Sequence, residues 1–330
     1  MKQMKRILSF VLALLMLSTI CVGCGAQPGE TTPQTLSQEE EDQIRKVLII
    51  GNSHSCDAFW QLPSVYADQM PDQKVVVGIM YYSGCPMDKH AEFALYDVPM
   101  YHYYKNEFNG TWSDTGNTTV RTALEDEQWD EVILQEFTME VDPSLDLDNR
   151  RLVEGFVNQV LVTPHKISWH TPWPCPSDES LFEGSDFLTN YRGNLTARFG
   201  FDPVNHFTFL ADLAKENILT DETYFKAYGT GAGILNAWLV EGCHQLDVWR
   251  DYTHLTDYGR LIASYSLFVQ MEDKTVETVG IDVVPAGLRT ETAQKEGDLQ
   301  VTDEMKEIIK KSANYTLEGR WEVPTAEETP

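Results

Sequence analysis

The chain has 330 residues, of which 42% are hydrophobic, and a formal net charge of −26 at neutral pH. This hydrophobic content supports a full core in one soluble domain of ordinary size. The acidic balance argues against nucleic acid and anionic bilayers as partners, because both carry negative charge themselves. Composition alone does not indicate whether the protein is an enzyme.

The amino-terminal segment has the pattern of a leader. Three basic residues precede an apolar stretch at 7–20, which is too short for a comfortable membrane span. The stretch is followed by a Val-Gly-Cys sequence ending at Cys24, which resembles the lipobox of bacterial lipoproteins. We therefore expect a signal peptide at 1–23, lipidation of Cys24 and an extracytoplasmic, membrane-anchored protein. Plain secretion is the alternative, since Cys21 departs from the usual Leu of the motif.

Three segments follow the leader. Residues 24–45 include Pro, Thr and a run of acidic residues and have little to bury, so we expect a flexible tether. The folded domain is predicted over 46–318, and a disordered tail over 319–330.

Within the domain, apolar runs alternate with helical segments, which is typical of a parallel sheet covered on both faces. The predicted strands are 46–50, 74–80, 131–134 and 166–169. The predicted helices are 58–69, 119–127, 207–216, 233–241, 255–271 and 302–312, the last with Thr302 as a cap. An aromatic insertion at 101–112 follows the second strand, and 229–231 is interpreted as a strand-to-helix turn.

A serine stands where the first strand stops, in the sequence Ile50-Gly51-Asn52-Ser53. The carboxyl ends of parallel strands form the binding crevice of open α/β sheets, so Ser53 is a candidate nucleophile. From this segment alone, a helix cap is the favoured interpretation of Ser53.

A second cluster, Asp251-Tyr252-Thr253-His254, directly precedes the last long apolar helix. The Asp251 carboxylate can accept a hydrogen bond from one ring nitrogen of His254, which leaves the other nitrogen to act as a base for a serine hydroxyl. Taken alone, the pair favours a structural interpretation, with Asp251 as a helix cap and His254 as a partly buried polar residue. Together, the two clusters favour a triad of Ser53, His254 and Asp251.

In this order, the motifs resemble those of the SGNH, or GDSL-like, esterase and acylhydrolase superfamily. Its first block is similar to Gly51-Asn52-Ser53, with Asn52 in place of the usual Asp, and its last block to Asp251-Tyr252-Thr253-His254. Gly84, at the end of the second strand, resembles the intervening Gly block, and Gln135 stands where the Asn block is expected. The pattern also looks like an uncharacterised SGNH-like group of bacterial secreted proteins.

The resemblance implies a three-layer α/β/α sandwich with a mostly parallel, flavodoxin-like sheet, and serine hydrolysis without a cofactor. The oxyanion would be held by the N–H groups of Ser53 and Gly84 and by the side-chain amide of Gln135, which is one methylene longer than Asn.

Aromatic residues near this end of the sheet suggest an acylated carbohydrate as the substrate, since aromatic faces stack on sugar rings. These residues are Tyr81, Tyr82, Tyr101, Tyr103, Tyr104 and Trp112. The alternative is that they form a core for the insertion. We expect an esterase that deacylates a polysaccharide, and the competing hypothesis is a degenerate glycan-binding lipoprotein on the same fold.

Four residues are candidates for substrate binding: Asn52, Tyr82, His170 and Trp173. His170 and Trp173 can equally well pack at a sheet edge. Of two other histidines, His54 is interpreted as a rim residue. His90 is interpreted as a polar residue of a loop, with contact to substrate as the alternative.

The cysteines do not indicate a metal site, because Cys56, Cys85, Cys175 and Cys243 lack close C-x-x-C spacing. Cys56 and Cys85 each follow a predicted strand. A disulfide between them is one alternative, and two buried thiols the other.

Overall fold

The computed structural model describes residues 44–135, 147–173, 224–237, 241, 243, 248–251, 254–285 and 298–317. Several predicted features lie outside the described residues: the leader with Cys24, most of the tether, the helix at 207–216, Cys175 and the tail. In the part of the chain that the structure describes, no helix is both long and apolar enough to cross a membrane.

A seven-stranded sheet forms the centre of the domain, in the order β4-β3-β2-β1-β5-β6-β7. The strands are β1 (Arg45–Gly51), β2 (Val75–Tyr81), β3 (Tyr101–Glu107), β4 (Ser113–Thr118), β5 (Glu131–Gln135), β6 (Lys166–Thr171) and β7 (Tyr224–Gly229). β3 and β4 form an antiparallel hairpin at one edge, and the other strands run parallel to one another. Taken alone, the parallel strands have the flavodoxin-like order 2-1-3-4-5.

Helices cover both faces of this sheet. They are α1 (Ser53–Phe59), α2 (Leu62–Gln69), α3 (Met87–Leu95), α4 (Val120–Asp126), α5 (Leu147–Val160), α6 (Gly231–Leu235), α7 (Asp257–Glu272) and α8 (Asp303–Leu317). α1, α2, α6 and α8 pack around α7, whereas α3, α4 and α5 pack with one another. A short antiparallel pair, β8 (Val283–Val284) and β9 (Leu299–Gln300), completes the described elements.

The alternation of side chains along β1 explains the two layers of helices. Val47 and Ile49 belong to the large core around α7, and Leu48 points to the opposite face, where it lies close to Gly78 and Trp129. All are buried, as expected for a parallel strand with both faces covered. The predicted α/β class with a large, mostly parallel sheet is therefore confirmed.

Several local predictions are also confirmed. The four predicted strands are present, with their ends moved by one or two residues. The turn at 229–231 does join β7 to α6. Thr302 caps α8, because its hydroxyl accepts a hydrogen bond from the N–H of Met305 at 3.2 Å.

Other local predictions are wrong or incomplete. The single helix predicted at 58–69 is two helices, and the first begins five residues earlier, at Ser53. Asn52 is the cap of α1, since its Oδ1 accepts a hydrogen bond from the N–H of His54 at 3.1 Å. Ser53 is therefore the first residue of the helix and not its cap. No element was predicted at α3, α5 or β7, and the strands β3 and β4 were predicted only as an aromatic insertion.

The predicted aromatic insertion is the edge hairpin. Tyr101 is 0% exposed, and Tyr103 and Tyr104 are each 6% exposed. Tyr81, on the neighbouring strand, is 7% exposed. These four tyrosines are core residues, as the alternative interpretation holds, whereas Tyr82 and Trp112 stay partly exposed.

Two glycines offer a test of the packing. A Cβ at Gly78, in the middle of β2, would lie 2.7 Å from Cη2 of buried Trp129, whereas a Cβ at Gly155, in α5, would meet nothing within 4 Å. We expect Gly78→Ala to lower the free energy of unfolding by about 1–3 kcal/mol through overpacking. Gly155→Ala is expected to raise it by up to about 1 kcal/mol, because Ala is the better helix former. Denaturant unfolding of both variants measures the two effects, and a Gly78→Ala protein as stable as wild type would contradict the close packing.

Candidate functional site

The candidate site lies at the carboxyl ends of β1 and β5, which are neighbours in the sheet. In the flavodoxin-like order this is the point where the strand order reverses, and ligands bind there in open α/β sheets. Asn52 and Ser53 follow β1, and Gln135 is the last residue of β5. The sequence therefore places its candidate nucleophile where this fold offers a crevice.

Gln135 holds the turn that follows β1. Its Nε2 donates to Oδ1 of Asn52 at 3.0 Å, and its Oε1 accepts from the N–H of Asn52 at 3.2 Å. The Ser55 hydroxyl also donates to the Gln135 Oε1. A Cβ at Gly51 would lie only 2.6 Å from that oxygen, so the turn needs glycine there. In the structure the Gln135 amide donates to Asn52, whereas the sequence analysis assigned it to an oxyanion.

The other two predicted oxyanion donors are backbone N–H groups. Ser53 is partly buried, and its N–H belongs to the first turn of α1, where no intrahelical acceptor exists. Gly84 is exposed and has a φ of 58°, a left-handed conformation that favours glycine. Among the described residues, neither N–H has a hydrogen-bond acceptor.

The loop that carries Gly84 is attached to the residues beside Ser53. The N–H of Tyr82 donates to the carbonyl of Gly51 at 3.3 Å, and Nδ2 of Asn52 donates to the carbonyl of Cys85 at 3.4 Å. Gly84 is thus held between two contacts with the end of β1. This arrangement keeps both N–H groups at the same edge of the sheet.

Asp251 and His254 form the expected pair. The ring Nδ1 of His254 lies 2.9 Å and 3.0 Å from the two carboxylate oxygens of Asp251, and its backbone N–H donates to Oδ1 at 2.7 Å. The loop is closed by a hydrogen bond from the N–H of Arg250 to the carbonyl of His254 at 3.0 Å. The carboxylate therefore fixes the Nδ1 edge of the imidazole.

Asp57, which the sequence analysis did not single out, joins this loop to α1. Its Oδ2 accepts from the N–H of Leu255 at 2.9 Å, and its Oδ1 accepts from Nε of Arg260, in α7, at 2.7 Å. Burial alone would raise the pKa of Asp57, but the Arg260 and Arg250 guanidinium groups outweigh it and hold that pKa below its usual range. The carboxylate stays ionised and links three elements of the site.

His54 is buried, and its interpretation as a rim residue is wrong. It is 1% exposed, because the second position of α1 turns its side chain inward. Its ring lies nearly parallel to that of His254, with centroids 6.1 Å apart and planes inclined by 26°. It also contacts Trp173, at 4.9 Å between centroids. The residue after Ser53 therefore touches the candidate base.

Three of the four candidate substrate-binding residues are inaccessible, since Asn52, His170 and Trp173 are each 0% exposed. His170 donates to or accepts from the Thr230 hydroxyl at 3.1 Å and packs edge-on against Phe59. Burial, together with nearby His54, lowers the pKa of His170 to about 3, so its ring is neutral. The fourth candidate, Tyr82, is partly exposed.

A further buried cluster lies beneath the Gly84 loop. His90 is in α3, not in a loop, and its Nδ1 lies 2.6 Å from the Tyr101 hydroxyl and 3.5 Å from Sγ of Cys85. Burial lowers the pKa of His90 to about 3. Cys56 and Cys85 are both thiols, as in the second of the two alternatives for these residues. No sequence pattern indicates this cluster, because nothing local shows that α3 turns His90 inward.

The structure brings together most, but not all, of the predicted triad. His254 contacts Asp251 directly and reaches the residue after Ser53 through ring stacking. Among the contacts of the described residues, no hydrogen bond joins the Ser53 hydroxyl to His254. Catalytic hydrogen bonds are often long before substrate binds. The geometry therefore agrees with a triad in which the contact between Ser53 and His254 is not yet formed.

Fold and site together define an α/β protein with a flavodoxin-like sheet and with serine, histidine and aspartate near its switch point. Residues 46–149 match the family model described as "Domain of unknown function (DUF4886)". The predicted similarity to a group of unknown function is confirmed, whereas this match does not link the chain to the SGNH superfamily.

The fold is similar to the crystal structure of a DUF4886 family protein from Bacteroides uniformis ATCC 8492, with a TM-score of 0.61 and 21% sequence identity. The match covers 87% of this chain and 100% of that one, and at this identity it shows the fold alone. A search of curated proteins finds no match.

The buried histidines predict acid sensitivity. The folded pKa of His90 is about 3, below its ordinary 6.5, so the unfolded chain takes up this proton first as the pH falls. The contribution of neutral His90 to the free energy of unfolding is therefore lost as the pH falls from 6.5 to about 3. We expect the thermal midpoint of wild type to fall between about pH 7 and pH 4, and His90→Gln to lose less over that interval. His102→Gln, at an exposed histidine, is the control and should follow wild type; an equal loss in all three proteins would contradict the assignment.

Proposed function

We propose that the protein is an SGNH-type serine esterase that acts on an acylated carbohydrate outside the cytoplasm. The observation that carries this proposal is the contact of the Asp251 carboxylate with Nδ1 of His254 at 2.9 Å, in a loop whose histidine stacks on the residue after Ser53. The switch-point position of Ser53 also supports it.

In this proposal each group has a separate task. The Ser53 hydroxyl attacks the ester carbonyl while Nε2 of His254 takes its proton, and Asp251 stabilises the imidazolium that forms. His254 then gives the proton to the leaving alcohol, and a water molecule repeats the cycle on the acyl-serine to release the acid.

The tetrahedral oxyanion accepts hydrogen bonds from the N–H groups of Ser53 and Gly84. Gln135 was expected to be the third donor. Because its amide donates to Asn52 at 3.0 Å, we assign to Gln135 the positioning of the turn that presents Ser53. A missing third donor would make a slow enzyme, since one such donor is commonly worth about 3 kcal/mol.

The carbohydrate part of the proposal rests on fewer residues than the sequence suggested. Of the six aromatic candidates, only Tyr82 and Trp112 are partly exposed. Trp112 stacks on Trp60, with ring centroids 4.6 Å apart, which fixes its orientation at the hairpin. The strand register places Trp112 toward the amino ends of the parallel strands, so Tyr82 is the one of these six residues that is partly exposed beside the turn of Ser53.

A non-catalytic glycan-binding protein is the second candidate function. It is favoured by the engagement of Gln135 with Asn52 and by the lack of a hydrogen bond between Ser53 and His254 among the described contacts. Fluorophosphonate labelling separates the two candidates, because an activated serine reacts and an inactive one does not.

The nucleophile is tested with Ser53→Ala. Purified protein is assayed on acetyl and longer-chain nitrophenyl esters and on acetylated glycans. We expect kcat to fall by roughly 10³-fold or more, since the acyl intermediate forms on the hydroxyl that this change removes. Ser64→Ala is the control, because Ser64 lies in α2 and bonds Asn109 at 3.0 Å, away from His254. Equal rates for Ser53→Ala and wild type would exclude the serine mechanism.

The lipid anchor is tested with Cys24→Ser in the full chain. We expect wild type to incorporate a labelled fatty acid and to fractionate with membranes, and Cys24→Ser to lose both properties, because its side chain cannot form the thioether. Cys21→Ser is the matched control and should stay labelled. Labelling of Cys24→Ser at the wild-type level would refute lipidation at this site.

A further inference from the structure

The proposed hydrolysis does not use His54, although His54 touches the proposed base. Its backbone N–H donates to Oδ1 of Asn52 at 3.1 Å, and its ring Nδ1 lies 3.3 Å from the same oxygen. The ring is 1% exposed and contacts Trp173. The start of α1 and the surrounding core therefore fix the position of this ring.

His254, by contrast, is held at one edge. Asp251 contacts its Nδ1 and its backbone N–H, and the side chains of His254 and Asp251 are 21% and 32% exposed. A carboxylate at Nδ1 leaves the ring able to tilt about that edge. A nearly parallel neighbouring ring opposes such a tilt, because an offset-stacked arrangement of two rings is favourable.

We propose that His54 is a positioning residue whose ring sets the plane of His254, so that Nε2 of His254 is directed at the Ser53 hydroxyl. The inference rests on the proposed function. His54 directly follows Ser53 in α1, so one turn of helix carries both the nucleophile and the surface that orients its base. The proposed role belongs to the aromatic ring of His54 and not to its nitrogen atoms.

Two variants separate the ring from its nitrogens. His54→Phe keeps an aromatic ring and loses Nδ1, whereas His54→Gln keeps a polar side chain and loses the ring. With nitrophenyl acetate and the full chain, we expect His54→Phe to retain kcat within about threefold. We expect His54→Gln to lose about 10- to 100-fold in kcat with KM nearly unchanged, because the base is misaligned while ester binding is not.

Three results would overturn the inference: equal losses in both variants, no loss in His54→Gln, or a large loss in His54→Phe. If His54→Gln does not fold, the kcat of His54→Phe alone tests the inference. A large loss of kcat in His54→Phe would show that the nitrogens of His54 are needed. A merely structural role would lower stability in both variants without separating their kcat values.

A second measurement does not depend on activity. The NMR signals of the His254 ring protons report the stacked neighbour through its ring current. We expect them to keep their displaced position in His54→Phe and to move in His54→Gln. If Ser53→Ala is as active as wild type, the proposed function fails, and these signals still test the contact. Signals of His254 that are unchanged in His54→Gln would overturn the orienting role by themselves.

Discussion

The buried carboxylate of Asp57 is the constraint on which the site depends. It is 1% exposed, and it bonds Arg260 in α7 and the backbone of Leu255 in the histidine loop. A buried charge is costly unless it is paired, and removing one partner of such a pair commonly costs about 3–5 kcal/mol. Because Asp57 lies one turn after Ser53, the distance between α1 and the loop of His254 is set by this group.

On the other side of Ser53, the constraint is a pair of amides. Asn52 and Gln135 exchange two hydrogen bonds across the boundary between β1 and β5, and both are fully buried. Each side chain thereby provides hydrogen-bond partners for buried polar groups of the other residue. Ser53 is thus held between an ionic contact through α1 and an amide contact through the sheet. Ser53 itself takes part in neither contact, and in the proposed function its hydroxyl is the group that reacts.

The sequence predicted the features that depend on local patterns. The apolar runs of β1, β2, β5 and β6 were recognised because residues buried on both faces form continuous hydrophobic stretches. Asp251 and His254 were found because their hydrogen bond closes within four residues. The strand β3 was missed because its sequence, Tyr-His-Tyr-Tyr-Lys-Asn-Glu, mixes tyrosines with polar residues and contains no aliphatic run.

The residues that the sequence missed are polar groups whose partners come from distant segments. Asp57 contacts Arg260, which is 203 positions away. His90 contacts Tyr101, which lies in β3, a strand that was not predicted. Composition cannot show that such side chains are buried, because polar residues are usually exposed and become buried only with a partner. His54 was misjudged for a related reason. Its burial follows from the start of α1 at Ser53, five residues before the predicted helix.

Two carboxylates lie near His254, and their partners decide which of them can support a base. Asp57 is ionised, but its oxygens accept from Arg260 and from the N–H of Leu255, so it has a structural task. Asp251 is 32% exposed and directs both oxygens to Nδ1 of His254. In the proposed hydrolysis, Asp251 therefore stabilises the positive charge that forms on the imidazole of His254, whereas Asp57 neutralises the Arg260 guanidinium.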